Sequence, residues 1–417
     1  MTNSPRAPLL PLDEALGRLL ASASASLSME FVAVGDADGR VLALDVVSAL
    51  HVPPQDNSAM DGYALRCADV AAPGSILPVS QRIAAGTSGL PLQAGTAARI
   101  FTGAPVPPGA DAVLMQEDCV AVPPADAASD IPRVLVNVRP APGQNIRRAG
   151  EDVAHGDVVL SRGQRLGPAE LGLAASIGMA ELAVARRPRV ALFSTGDELV
   201  MPGTVAPQDM PPGAIYNSNR YFLSALLRRM GCVVTDLGIV PDQREATVQA
   251  LREAAQSHDV ILTSGGVSVG EEDHIKPAVQ TLGTLDLWQI AIKPGKPFAY
   301  GRIADAHFLG LPGNPVSSFV TFLVLVRPFL LQLQGMRDVA MKTVAARADF
   351  NWAKADKRCE FLRVRRTFDG GLELFSNQSS GVLTSAVWGD GLVSNPPGRA
   401  ITPGDTVQFV SFAELLA

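Results

Sequence analysis

Cysteine is scarce. Cys67, Cys119, Cys232 and Cys359 lie far apart in 417 residues and show no Cys-x-x-Cys spacing. That excludes a zinc ribbon and a disulfide framework, and points to reduced thiols in a reducing compartment. The first twenty residues have no basic stretch followed by an apolar one. No run approaches the ~20 apolar residues needed to span a bilayer. One of the longest, 319–326, stops at Arg327-Pro328. The expectation is a soluble, cytoplasmic protein without a membrane partner. Basic excess is also missing. A net charge of −6 gives no global field toward nucleic acid, so an anionic ligand would need a local basic pocket. The five histidines form no evident triad with serine, and no internal repeat stands out.

What is present is enough apolar material, 47% against 18% charged residues, to exclude wholesale disorder. The length implies roughly two to four domains. Pro11 and Asp13 precede Leu16, Leu19 and Leu20 at helical spacing, and residues 40–47 read as a short strand. Across 51–142, short alternating stretches such as 98–101 and 112–116 are broken by glycine and proline, as in APVPPG at 104–109. This predicts a β-rich domain, with 123–132 as a hairpin tip. Residues 168–178 read as a small-residue helix, expected to pack back on the N-terminal helix. Residues 1–50 and 143–180 would then form one discontinuous mixed α/β domain.

From 181 to 334 strands and helices alternate. Strands are expected at 189–194, 232–240, 260–263 and 287–292, and helices at 219–230, 244–257 and 314–334. The βαβαβ order predicts a parallel sheet covered on both faces. Ligands then belong beyond the carboxyl ends of its strands. Residues 335–417 read as a last β-rich, barrel-like unit, with strands at 361–364 and 406–412.

The loops at those strand ends carry the polar residues. One holds Ser194, Thr195, Gly196, Asp197 and Glu198; a second holds Asp242. A third runs Ser264-Gly265-Gly266-Val267-Ser268 and on to Asp273. Glycines let backbone amides approach an anion, and carboxylates beside a phosphate site suit Mg²⁺. Any one aspartate alone reads better as a helix cap. Three at one end of one sheet favour a metal site. Lys293-Pro294-Gly295-Lys296-Pro297 is a stiff cationic loop suited to an oxyanion, or else a surface turn. Asn314-Pro315 opens a helix whose Ser317 and Ser318 sit at its positive end. In the first half, residues 56–64 are dense in polar and turn-forming types. Residues 139–152, with Arg147, Arg148 and Asp152, read equally as a phosphate holder or a salt-bridged linker.

Seven blocks together resemble the MoeA family of molybdopterin molybdenumtransferases. They are DNSAMDGYA (56–64), TGAPVPPGAD (102–111), GQNIRRAGED (143–152), STGDEL (194–199), TSGGVSVGEED (263–273), IKPGKP (292–297) and LPGNPVSS (311–318). The resemblance implies an elongated homodimer of four-domain chains: a molybdopterin-binding α/β domain, two β-rich domains and a small mixed one. It implies adenylyl-molybdopterin and molybdate as substrates, release of AMP, and Mg²⁺ as cofactor. By position, Asp197, Glu198, Asp242 and Asp273 match its acidic, metal-holding and catalytic cluster. Asp61, Thr102 and Asp152 match polar positions that reach the cleft from the second subunit. Lys293, Lys296, Ser317, Arg358 and Ser380 match a molybdate pocket. Gln289 departs from the basic residue found in many relatives, and the stretch Trp388-Gly389-Asp390 is atypical. The molybdopterin adenylyltransferase of the pathway is implied as a partner. It is also an alternative identity, since it uses the same α/β fold, normally as a lone domain. A non-catalytic scaffold of this fold is the other alternative.

Overall fold

The structure, a computed structural model, describes residues 9–23, 27–124, 130–267 and 274–416. The sheet of the α/β unit has six strands. Their spatial order is Val233–Val240, Arg189–Thr195, Val260–Ser264, Ala306–Leu311, Pro297–Ile303 and Gly283–Gln289. The first four run parallel, and the last two are added by antiparallel pairings. The sheet is therefore mixed, not all-parallel. The strand expected at 287–292 is Gly283–Gln289, on the antiparallel edge. Ile292–Lys293 leaves this sheet to pair with Cys359–Arg366 of the last unit. A short apolar alternation does not say which of two sheets it joins.

Val190 to Phe193 are fully buried, the signature of a strand covered on both faces. Side chains alternate across the sheet. Val190 and Leu192 face a core shared with helices Asn219–Arg229 and Arg327–Leu333. Ala191 and Phe193 face one built on Arg244–Ser257 and Ile275–Leu282. Helix Pro315–Leu333, 19 residues long, has an 18-residue window of mean hydropathy 1.8, enough by length to cross a bilayer, contrary to the sequence count. It is a core helix: 89% of its apolar window is buried in the fold. Its turn Phe322–Val326 is π-helical. Pro328 offers no amide to the carbonyl four residues back, which favours that widening.

The strands Met29–Ala33 and Glu181–Ala185 pair, as do Val46–Val47 and Val158–Leu160. The segments on either side of the β-rich insertion thus share one core, containing Leu42, Leu160, Ala174 and Val184. Within 40–47 only Val46–Val47 is a strand, flanked by isolated bridges at Val41 and Leu42. Helix Leu12–Ser22 does not pack on helix Pro168–Ser176 as expected. Its Ala15 and Leu19 join the α/β core instead, and Gln332 Nε2 donates to Leu20 O at 2.7 Å. An amphipathic stripe buries itself against the apolar surface within reach, and its period does not name the partner. The β-rich insertion is a six-stranded sheet in the order Ala112–Met115, Gly62–Leu65, Ala97–Ile100, Ser75–Ile83, Arg133–Val136, Cys119–Val122. The last unit is another six-stranded sheet around Leu362, Val364, Val393 and Phe409.

His307 in this α/β unit is 3% exposed. Arg302 lies 2.8 Å from its Nε2 and Tyr300 Oη 3.0 Å from its Nδ1. Burial, and then the charge of Arg302, push its pKa down to about 4. The folded ring stays neutral while the unfolded ring takes a proton near its ordinary value of ~6.5. This contribution to stability is whole above that pH and is lost as pH falls toward about 4. It amounts to about 3 kcal/mol. His307→Gln should flatten the fall of the urea midpoint between neutral and acid pH. An unchanged slope would remove His307 as its source.

Candidate active-site cleft

Four loops meet in a cleft of about 730 Å³ beyond the carboxyl ends of the parallel strands. Arg189–Thr195 delivers Thr195, Gly196 and Glu198; Val233–Val240 delivers Asp242. Val260–Ser264 delivers Ser264, Gly265 and Gly266; Ala306–Leu311 delivers Pro312, Gly313 and Asn314. Ser317 joins them from the first turn of the following helix.

The glycines are required by conformation and by space. Gly265 and Gly266 have φ of +93° and +68°. A Cβ on Gly265 would stand 2.9 Å from Thr195 O; one on Gly266 would stand 2.4 Å from Ile275 Cγ1. The bare backbone therefore forms the floor, which suits an anion. Gly265→Ala should destabilise by about 1–3 kcal/mol. Gly203→Ala is the control, because Gly203 has φ +88° and open space around it. Equal thermal shifts for the two variants would show that the Thr195 contact costs nothing.

Asn219 ties the loops together. Its Nδ2 donates to Ser264 Oγ at 2.8 Å and to Gly313 O at 2.7 Å. Asn217, 2% exposed, also lines the cleft, and its Nδ2 finds no partner among the described residues. Sequence reading missed both. The run Asn217-Ser218-Asn219 looks like the polar start of an amphipathic helix, and only its density of amides could have flagged it.

The α/β unit and the last unit share a cationic knot whose residues are not among those lining the cleft. Lys293 Nζ is 3.0 Å from Glu360 Oε1 and 3.5 Å from Asp356 Oδ2, and stands over the Trp352 ring at 5.5 Å. Arg358 grips Asp356 through Nε at 2.9 Å and Nη2 at 2.8 Å. That grip holds the Asp356 carboxyl well below the usual carboxylate range and raises the Arg358 pKa. Buried Glu360 also accepts from Trp352 Nε1 at 2.8 Å and Asn395 Nδ2 at 3.3 Å. The two carboxylates in the knot were not foreseen, although the alternating signs of Asp356-Lys357-Arg358-Cys359-Glu360 were visible. Ser380 O accepts the Val316 amide at 2.9 Å, and Gly381 lines the cleft, so the last unit docks at the site.

Three family profiles cover this chain. The MoeA N-terminal region (domains I and II) matches residues 10–178. A probable molybdopterin binding domain matches 191–332, and the MoeA C-terminal region (domain IV) matches 345–412. The chain belongs to the MoeA family. It is 40% identical over 356 residues to the molybdopterin molybdenumtransferase of Haemophilus influenzae, covering 85% of each chain. It is 42% identical over 318 residues to molybdopterin molybdenumtransferase 2 of Mycobacterium tuberculosis, covering 74% of this chain and 76% of that one. A molybdopterin biosynthesis MoeA protein from Pyrococcus horikoshii superposes with a TM-score of 0.83 at 28% identity, over 97% of this chain and 100% of that one.

In this MoeA chain, the residues predicted in the second half divide. Thr195, Gly196, Glu198, Asp242, Ser264, Gly265, Gly266 and Ser317 line the cleft. Ser194 is buried in its strand, 1% exposed. Asp197 and Lys296 neighbour lining residues but are not among them. Ser268 and Asp273 lie outside the described residues. Among the described residues no three metal-binding side chains cluster. Glu198 and Asp242 are the carboxylates that line the cleft among the described residues.

The first-half residues do not reach this cleft within one chain. Thr102 donates to Asp61 Oδ1 through its amide and its hydroxyl, both at 2.7 Å, and this holds the Asp61 carboxyl below its usual range. Arg147 lies in a two-residue strand paired with Asn57–Ser58. The amide of Asp152 bonds Val52 O at 3.0 Å. Arg148 pairs with Asp56 at 2.5 Å, the salt-bridged alternative for that residue.

Proposed function

We propose that this chain takes adenylyl-molybdopterin and molybdate, cleaves the pyrophosphate linkage, releases AMP and leaves molybdenum on the dithiolene. At the coarser level, a MoeA-family chain with these relatives is a transferase that inserts molybdenum into molybdopterin. One observation carries the finer reading. A glycine-floored cleft with two carboxylates among its described lining lies at the ends of the parallel strands, and the last unit, which holds Arg358 and Asp356 and pairs with Lys293, reaches that cleft through Gly381.

The amides at Gly265 and Gly266 are suited to phosphate oxygens. Lys293, Arg358 and Ser317 suit the molybdate dianion, with Lys296 and Ser380 at the margin. Asp356 already sits against both cations as an oxyanion would, so molybdate competes with it. Glu198 and Asp242 fit Mg²⁺, which prefers one or two carboxylates plus phosphate oxygens and water. When bound, it would neutralise charge on the pyrophosphate. A water forms the new bond to the adenylyl phosphorus and gives AMP directly, or a molybdate oxygen does so and its Mo–O bond breaks as the dithiolene sulfurs take the molybdenum, AMP keeping that oxygen. The bond to the bridging oxygen breaks, and that oxygen leaves on the molybdopterin phosphate. Positioning and charge supply the rate, with no protein nucleophile.

Asp61, Thr102, Arg147 and Asp152 would enter from a second copy in a homodimer. The exposed apolar side chains of the discontinuous domain, Met29, Phe31, Val47 and Val158, are what supports a second copy. Val47 and Val158 are cross-strand partners. The adenylyltransferase of the pathway would deliver the substrate in the cytoplasm. The test is AMP release from adenylyl-molybdopterin with Mg²⁺, with and without molybdate. Molybdate-dependent release is expected. Formation of adenylyl-molybdopterin from ATP and molybdopterin instead would overturn the reading.

A further inference from the structure

We propose a second oxyanion site, in the β-rich insertion, that binds a tetrahedral phosphoryl dianion, free or as a monoester. It is a cavity of about 340 Å³ lined by Tyr63, Arg82, Arg99 and Arg133. That volume falls at the small end of ligand pockets, roughly 300–1,000 Å³. The cavity shares no lining residue with the cleft.

Charge is the first argument. Arg82 and Arg99 are direct partners on the neighbouring strands Ser75–Ile83 and Ala97–Ile100. Like charges placed so are destabilising. The lining contains no carboxylate among the described residues. Among the described residues none forms an ion pair with Arg82, Arg99 or Arg133; Asp61 acts on Arg99 only through its field.

Geometry is the second. Arg99 is fixed by Gly62 O at 3.1 Å and Gln116 Oε1 at 2.7 Å, and Arg133 by Pro123 O at 2.9 Å. Arg82 and Arg99 stand over the Phe101 ring at 4.5 and 4.8 Å, and Arg99 over Tyr63 at 5.2 Å. Stacking on a ring occupies a guanidinium's face and leaves its N–H edge for an anion. Donors already held in place cost little ordering when the ligand arrives. A dianion would relieve the opposed charges and accept several charge-assisted hydrogen bonds.

The test is calorimetric titration of the full chain with inorganic phosphate, AMP and adenosine. The proteins are the parent, Arg82→Gln, Arg133→Gln and Lys293→Met. Arg82 is solvent-exposed, so its variant should fold. A phosphate-binding event should survive Lys293→Met and weaken roughly tenfold or more in each arginine variant. For the component of binding lost in the arginine variants, tighter binding of AMP than of phosphate would mark a monoester as ligand, and equal binding the bare dianion. Adenosine binding as well as AMP, no phosphate binding, or phosphate binding indifferent to both arginine changes would overturn the proposal.

Discussion

Asp242→Asn should cut AMP release by roughly 10²–10³-fold or more while leaving the fold intact. Asp242 lines the cleft just after the strand Val233–Val240. Asparagine keeps its size and polarity and removes only the negative charge. The loss should therefore appear in the chemical step and in the demand for Mg²⁺. Single-turnover AMP release across a Mg²⁺ titration checks this. Glu198→Gln should behave alike, since Glu198 is the other carboxylate among the described residues lining the cleft. Full turnover in Asp242→Asn would refute its role as a metal ligand.

Lys293→Met should do two things that a second substitution can separate. It removes a cation 3.0 Å from Glu360, whose side chain is 1% exposed. A buried carboxylate left without its cation is destabilising, here by about 2 kcal/mol, because Lys293 itself is partly solvated. It also removes a donor proposed for molybdate, so half-saturation should require roughly tenfold or more molybdate. Adding Glu360→Gln should restore most of the stability, because no unpaired charge remains. It should not restore molybdate affinity. Urea unfolding and molybdate-dependent AMP release, measured on both single variants and the double, resolve the two effects. Recovery of molybdate affinity in the double variant would place Lys293 in structure alone.

The knot shows why such residues need a partner-by-partner reading. Lys293 and Arg358 stand out in the sequence as free cations, and in the fold both are held by Asp356. A pocket for a dianion that already contains a carboxylate binds by exchange. The competition lowers apparent affinity, and it avoids leaving two cations facing each other unpaired.

Much of the chain was legible from residue patterns. Helix Arg244–Ser257 and strand Arg189–Thr195 follow from apolar period and from flanking polar and proline residues. The glycines after Ser264 announced a bare-backbone floor, because their left-handed conformation suits no other residue as well. These are local properties, set by each segment's own sterics and hydrogen bonding. The tertiary structure alone decided the rest: the helix Leu12–Ser22 on the α/β core, the antiparallel edge of its sheet, Asn219 bridging two loops, and Glu360 under Lys293. Each is a choice among partners distant in sequence. Such choices depend on how much apolar area is buried and which charges are paired in the whole chain, and no single segment carries that information.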